Sequence, residues 1–104
     1  MFKAVILLTR RADTTHEQFA HWWLVEHAPL AAKLPGVRRL VFNLVDPCAD
    51  GAPDGVSELW FDSSEDFEAA YATDIGKAVA ADSLAHLASR IRMFVTEHEV
   101  VSER

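Results

Sequence analysis

The run Phe2–Thr9 (FKAVILLT) is apolar at nearly every position and rich in strand-forming residues. A half-exposed strand alternates polar and apolar residues with a period of two, so this one reads as a strand covered on both faces. A fold that opens on such a strand needs two coats for it, and the rest of the chain must supply them.

One coat is helical. Thr14 with Glu17 and Thr15 with Gln18 both satisfy the capping-box spacing, so a helix starts near Thr15 and runs through QFAHWWLVEH. Pro29 lacks a backbone donor and clashes with the preceding turn, which predicts a kink or break at His27–Ala28. A short second helix is then expected from Pro29 to Leu34, ended by Pro35-Gly36. Val37–Val45 reads as the second strand, Asp46–Gly55 as a loop dense in turn formers, and Val56–Phe61 as the third strand. Ser63 and Ser64 are caps for a helix over Glu65–Ala72, Asp74 caps another from Ile75 towards Leu87, and Ile91–Val101 is the fourth strand. The order β-α-β-β-α-β is the split βαβ arrangement of ferredoxin-like α+β folds, a four-stranded antiparallel sheet with its helices on one face. The 104 residues make one domain, 1–104.

The second coat is missing from the chain itself. The first strand offers Phe2, Ala4, Ile6 and Leu8 to one side and Lys3, Val5, Leu7 and Thr9 to the other, and the second strand divides Leu40, Phe42 and Leu44 from Val41, Asn43 and Val45. Helices cover one side only, and the other would leave a larger apolar patch than monomers usually tolerate. A homodimer with sheet packed on sheet is expected.

Charge narrows the partners. The net charge is −6, and Val41 to Gly76 holds nine carboxylates with no Lys or Arg, the opposite of a phosphate-binding footprint, so nucleic acid is not expected. Ala4–Leu8 is far shorter than a membrane span or a signal-peptide core, so no membrane partner is expected either. The single cysteine, Cys48, follows Asp46-Pro47 in the loop and cannot form an intrachain disulfide, which fits an inert thiol in a reducing cytoplasm.

Candidate chemistry gathers on the first helix. At 100° per residue, His16, Phe19, Trp23, Glu26, His27 and Leu30 fall within roughly 60° of one line, so two ionisable residues share the apolar stripe. Only histidine titrates unperturbed near neutral pH, which makes His27 a candidate general acid or base. The plainer reading is an aromatic core stripe in which a histidine beside a helix break bonds a freed carbonyl. His21 points the other way, to solvent. His16 and His21 are five apart, about 140° around a helix, so no zinc site of the four-apart kind is expected. Asp82 and His86 are four apart; the favoured reading is that Asp82 caps a short turn starting at Ser83, the alternative that it orients an imidazole. Tyr71 reads as a pocket hydroxyl or an aromatic core anchor with a wet tip. Trp60 alternates with Glu58 and Val56 and faces either a pocket or the dimer interface. No glycine-rich phosphate loop, Gly-x-Ser-x-Gly elbow or Cys-x-x-Cys is present, and no cofactor is expected.

The segments Phe19-Ala-His-Trp-Trp23, Glu26-His27-Ala28-Pro29-Leu30 and Leu34-Pro35-Gly36-Val37-Arg38-Arg39 with Asn43, and Phe94-Val-Thr-Glu97 near the end, resemble the EthD family, named for ethyl tert-butyl ether degradation. The resemblance is strongest over residues 1–45. It implies a dimeric α/β-barrel, and His27 matches the histidine of the family's His-x-Pro segment. Relatives in the wider group include methylmuconolactone isomerases, polyketide cyclases and dehydratases, and heme-degrading or cofactor-free monooxygenases. The implied function is binding of a small aromatic, lactone or polyketide-like metabolite. His27 is then the catalytic acid or base of an isomerisation, cyclisation or dehydration, and Trp23, Tyr71, Asn43 and Trp60 are substrate-binding residues. Alternatives are a non-catalytic accessory or ligand-binding protein of a catabolic pathway, or a heme-binding or cofactor-free monooxygenase.

Overall fold

The first strand lies inside the sheet. In a computed structural model that describes residues 1–47 and 50–103, β1 (Phe2–Arg10) pairs with β3 (Gly55–Phe61) on one side and β4 (Leu87–Val95) on the other. With β2 (Arg39–Leu44) beyond β3, the order is β2-β3-β1-β4 and every pairing is antiparallel. Cys48 lies outside the described residues.

Register sorts the side chains. Ile6 stands opposite Ser57 and Arg92, Leu8 opposite Gly55 and Arg90, and Phe42 opposite Ser57. These residues share the face that packs under α1 (His16–His21), α2 (Ala28–Ala31), α3 (Ser64–Ala72) and α4 (Asp74–His86). Trp23, Phe19 and Phe61 are the largest side chains sealed in that layer. The opposite face carries Val5, Leu7, Val41, Val56, Ile91 and Met93, and Ile91 is 56% exposed. Two-sided apolar strands thus end with one face buried and one open. No helix among the described residues is long and apolar enough to cross a membrane.

Two of the three caps follow the sequence. Thr15 accepts from the Gln18 amide at 3.1 Å while Gln18 Oε1 accepts from the Thr15 amide at 2.9 Å, so the Thr15/Gln18 pair forms the box. Ser63 caps α3. Thr73 rather than Asp74 caps α4, its Oγ1 accepting from the Gly76 amide, and Asp74 sits in the first turn where its charge suits the helix dipole.

Three further expectations need correction. The helix does not break at His27–Ala28. Trp22–His27 winds as a π-helix that runs on into α2, the Ala28 amide reaching back five residues to Trp23 O. A widened turn accommodates the missing donor and the bulk of Pro29 without interrupting the rod. Asp82 is no cap: it lies inside α4, which continues to His86. The last strand runs over Leu87–Val95 rather than Ile91–Val101, because β1 offers partners only from Arg10, opposite Leu87, to Lys3, opposite Val95.

Candidate functional site

The π-turn decides what the first helix presents. Residues five apart on an α-helix diverge by about 140°, yet Trp22 and His27 here lie side by side, ring centroids 4.9 Å apart. Both aim donors at one acceptor on α4: Asp82 Oδ2 accepts from His27 Nδ1 at 2.8 Å and from Trp22 Nε1 at 3.2 Å. The same widening turns Glu26 out of the apolar stripe, leaving its side chain 61% exposed, within 3.7 Å of His21. A buried Glu26, expected on an unbroken α-helix, is therefore corrected.

The contact fixes the imidazole's tautomer. An ionised carboxylate only accepts, so in the neutral imidazole the proton sits on Nδ1 and Nε2 is left with a lone pair. Nε2 points toward Ser83 Oγ, a long contact at 3.5 Å. The Asp82 carboxylate, three-quarters buried, also lies 3.3 Å from His86 Nδ1, which donates to the Asp82 carbonyl at 2.8 Å. His86 stacks on Trp22 at 4.6 Å, so the carboxylate is held from two helices. This is the arrangement in which a carboxylate orients a base and can stabilise its protonated form.

His27 lines a cavity between sheet and helices. Trp23 and Phe42 form one wall, stacked 4.4 Å apart and within 3° of parallel, and Ser57, Tyr71 and Arg90 supply polar groups around it. The cavity volume is about 20 Å³, room for roughly one water molecule, so a cyclic ligand needs side chains at the rim to move aside. Phe42, Tyr71 and Arg90 are half-buried there, while His27 and Trp23 are sealed. Gly55 makes the Trp23 wall possible: a Cβ at that position would come within 2.6 Å of the indole. Burial pushes the Tyr71 phenol above its ordinary value, an effect that Arg90 and Arg92 partly offset.

Of the residues singled out in the sequence, His27, Trp23 and Tyr71 meet at this cavity. Asn43 and Trp60 do not. Strand parity puts them on the open face, Trp60 beside Lys3 and Arg39, Asn43 beside Val56. There Asn43 donates to Glu58 at 3.1 Å, Trp60 donates to Glu97 at 3.2 Å, and Lys3 bridges the two carboxylates at 3.0 and 3.5 Å. The Asn43 amide and then Lys3 hold the Glu58 carboxyl below its ordinary range, and the Trp60 indole does the same for Glu97. Ser57, Ser83 and Arg90 are the polar cavity residues that sequence reading missed; Asp82 stands behind His27 rather than in the cavity wall, and its orienting role was the less favoured alternative, signalled by the i,i+4 spacing of Asp82 and His86. A broader hollow of about 500 Å³ lies near Asp54, where Arg10 and His16 both pair with that carboxylate at 3.3 Å. Among the described residues no group of three or more His, Cys, Asp or Glu side chains is placed to hold a metal ion.

A family profile described as the EthD domain matches residues 11–90. The 4-carboxymethyl-4-methylbutenolide mutase of Pseudomonas reinekei is 29% identical over 109 residues, covering 96% of this chain and 100% of that protein. An EthD family protein from Bacillus halodurans superposes with a TM-score of 0.78 at 25% identity, covering 94% of this chain and 100% of that one. A dimeric ferredoxin-like protein from Thermobifida fusca shares the fold with a TM-score of 0.75 at 19% identity, over 92% and 90% of the two chains.

Proposed function

The chain belongs to the EthD family, and from that premise we propose that it binds a small lactone, aromatic or polyketide-like metabolite in the His27 cavity and converts it by acid–base chemistry. The observation that carries the reading is the His27–Asp82 contact of 2.8 Å, which in the neutral imidazole directs the lone pair to Nε2, on the side of the cavity that His27 lines. Nε2 takes a proton from a carbon next to a carbonyl, and the Asp82 carboxylate stabilises the imidazolium that results. Return of that proton to another carbon of the conjugated system completes an isomerisation; departure of a β-hydroxyl as water, protonated by the same imidazolium, instead completes a dehydration. The stacked Trp23 and Phe42 rings supply apolar contact for a flat ligand. The Pseudomonas reinekei relative, a mutase of a butenolide, supports the lactone class.

The reading includes a homodimer. The open face with Leu7 at its centre, flanked by Val56 and Ile91, supports it, as does the dimeric Thermobifida fusca protein.

The test is proton exchange. In D₂O, 4-carboxymethyl-4-methylbutenolide should exchange a proton of its exocyclic carboxymethyl CH2, its one saturated carbon next to a carbonyl, in the presence of the protein, and His27→Gln should slow exchange by roughly 10²–10⁴. Exchange at the wild-type rate in His27→Gln, or none above buffer with the wild type, would contradict the reading.

A further inference from the structure

Arg90 is the unexplained charge of the fold. It stands opposite Leu8 on β4, on the side of the sheet that packs under the helices, and its side chain lines the His27 cavity. Of the six arginines among the described residues, Arg10, Arg11 and Arg38 form ion pairs, and Arg39 and Arg92 lie over aromatic rings. Arg90 does neither. A half-buried guanidinium against apolar walls carries a desolvation cost that a counter-ion offsets. Among the described residues no carboxylate comes within ion-pair distance of it; Asp82, on the same side, is occupied by His27, Trp22 and His86.

The neighbouring phenol is also unengaged. Tyr71 lines the same cavity, close enough to feel the charge of Arg90, and its hydroxyl has no hydrogen-bond partner among the described residues. A planar guanidinium fork beside a hydroxyl donor matches the two oxygens of a carboxylate. Arg90 is the one Lys or Arg among the described residues that line the cavity, Arg92 lying over Phe67 and Phe94 instead, so one negative charge is balanced there, and the net charge of −6 disfavours multiply charged anions at long range.

We propose that Arg90 and the Tyr71 hydroxyl form a carboxylate anchor at the rim of the cavity, so that the ligand is a cyclic monocarboxylate whose ring is presented to His27 Nε2. The proposal rests on the His27 cavity being the ligand site and adds the class of ligand it selects. Half-buried Arg90 and Tyr71 are the groups that must yield to admit a ring into so small a space, so anchoring and entry fall to the same side chains.

Phenylacetate and phenylacetamide, equal in shape and different in charge, separate the possibilities when titrated by calorimetry with the His27 imidazole followed by NMR. The wild type should bind phenylacetate at least about tenfold more tightly than the amide, as expected for a charge-assisted pair. Arg90→Gln should bind the two alike, Arg90→Lys should keep part of the preference, and Tyr71→Phe should lower it several-fold. In the wild type and Arg90→Lys both compounds should shift the His27 resonances. Equal binding of acid and amide by the wild type, with His27 shifting, would overturn the anchor and leave the cavity reading standing. A preference for the acid that survives in Arg90→Gln would do the same. Failure of both compounds to move the His27 resonances would overturn the anchor and the cavity reading together.

Discussion

Removing Asp82 and His27 singly and together measures the contact on which the site is built. Asp82 accepts from His27 at 2.8 Å and from Trp22 at 3.2 Å, and its side chain is 26% exposed. A hydrogen bond to a charged group is worth about 1.5–3 kcal/mol, and partial exposure of the carboxylate places this one near the lower end. Asp82→Ala loses both bonds and strands the Trp22 and His27 donors, so a loss of about 2–4 kcal/mol is expected. His27→Ala loses one bond and leaves a cavity, for a loss of similar size. The double variant should be less destabilised than the sum by about 1–2 kcal/mol, since the shared bond is counted once. Urea denaturation of the four proteins, at one fixed concentration so that any self-association contributes equally, reads the difference. Additivity within about 0.3 kcal/mol would refute the dyad as an energetic unit.

Three further outcomes follow from the packing. Gly55→Ala should cost about 1–3 kcal/mol, and lower Tm by about 4–8 °C for each kcal/mol, because its methyl would overlap the sealed Trp23 indole; a shift under 2 °C would show that the wall yields. Tyr71 is the only tyrosine, so absorbance at 295 nm titrates it alone. Its phenol is raised in the fold, so its stabilising contribution is whole below the unfolded value near 10 and is lost as pH rises through the higher folded value; a midpoint below 10 would contradict its burial. Leu7→Glu, at the middle of the open face, should shift sedimentation from dimer to monomer with the helical signal retained, and an unchanged dimer would place the interface elsewhere.

Much of the architecture was legible because its signals are local. The two-sided first strand, the Thr15/Gln18 box and the Ser63 cap act within a few residues, and each formed as spaced. The candidate site was legible in part. His27, Trp23 and Tyr71 stood out by type and spacing, but their partner Asp82 lies 55 residues from His27, and only the packing of α4 on the π-turn brings them together. Asp before Ser also mimics a helix cap, which is why Asp82 read as one. The π-turn hid Trp22 for a related reason: a 100° wheel cannot place residues five apart on one face. Arg90 escaped because one cation in a strand carries no periodic signal, and its side of the sheet depends on register with Leu8. The end of the last strand was set by the length of β1, a constraint on pairing that Ile91–Val101 does not itself contain.

The central claim is that His27 offers a lone pair to the cavity because Asp82 holds its proton on the other nitrogen. Long-range ¹H–¹⁵N NMR of the imidazole at alkaline pH reads this directly. The wild type should show a protonated Nδ1 and an unprotonated Nε2, with the preference weakened in Asp82→Asn. A proton resident on Nε2 in the wild-type protein would contradict it.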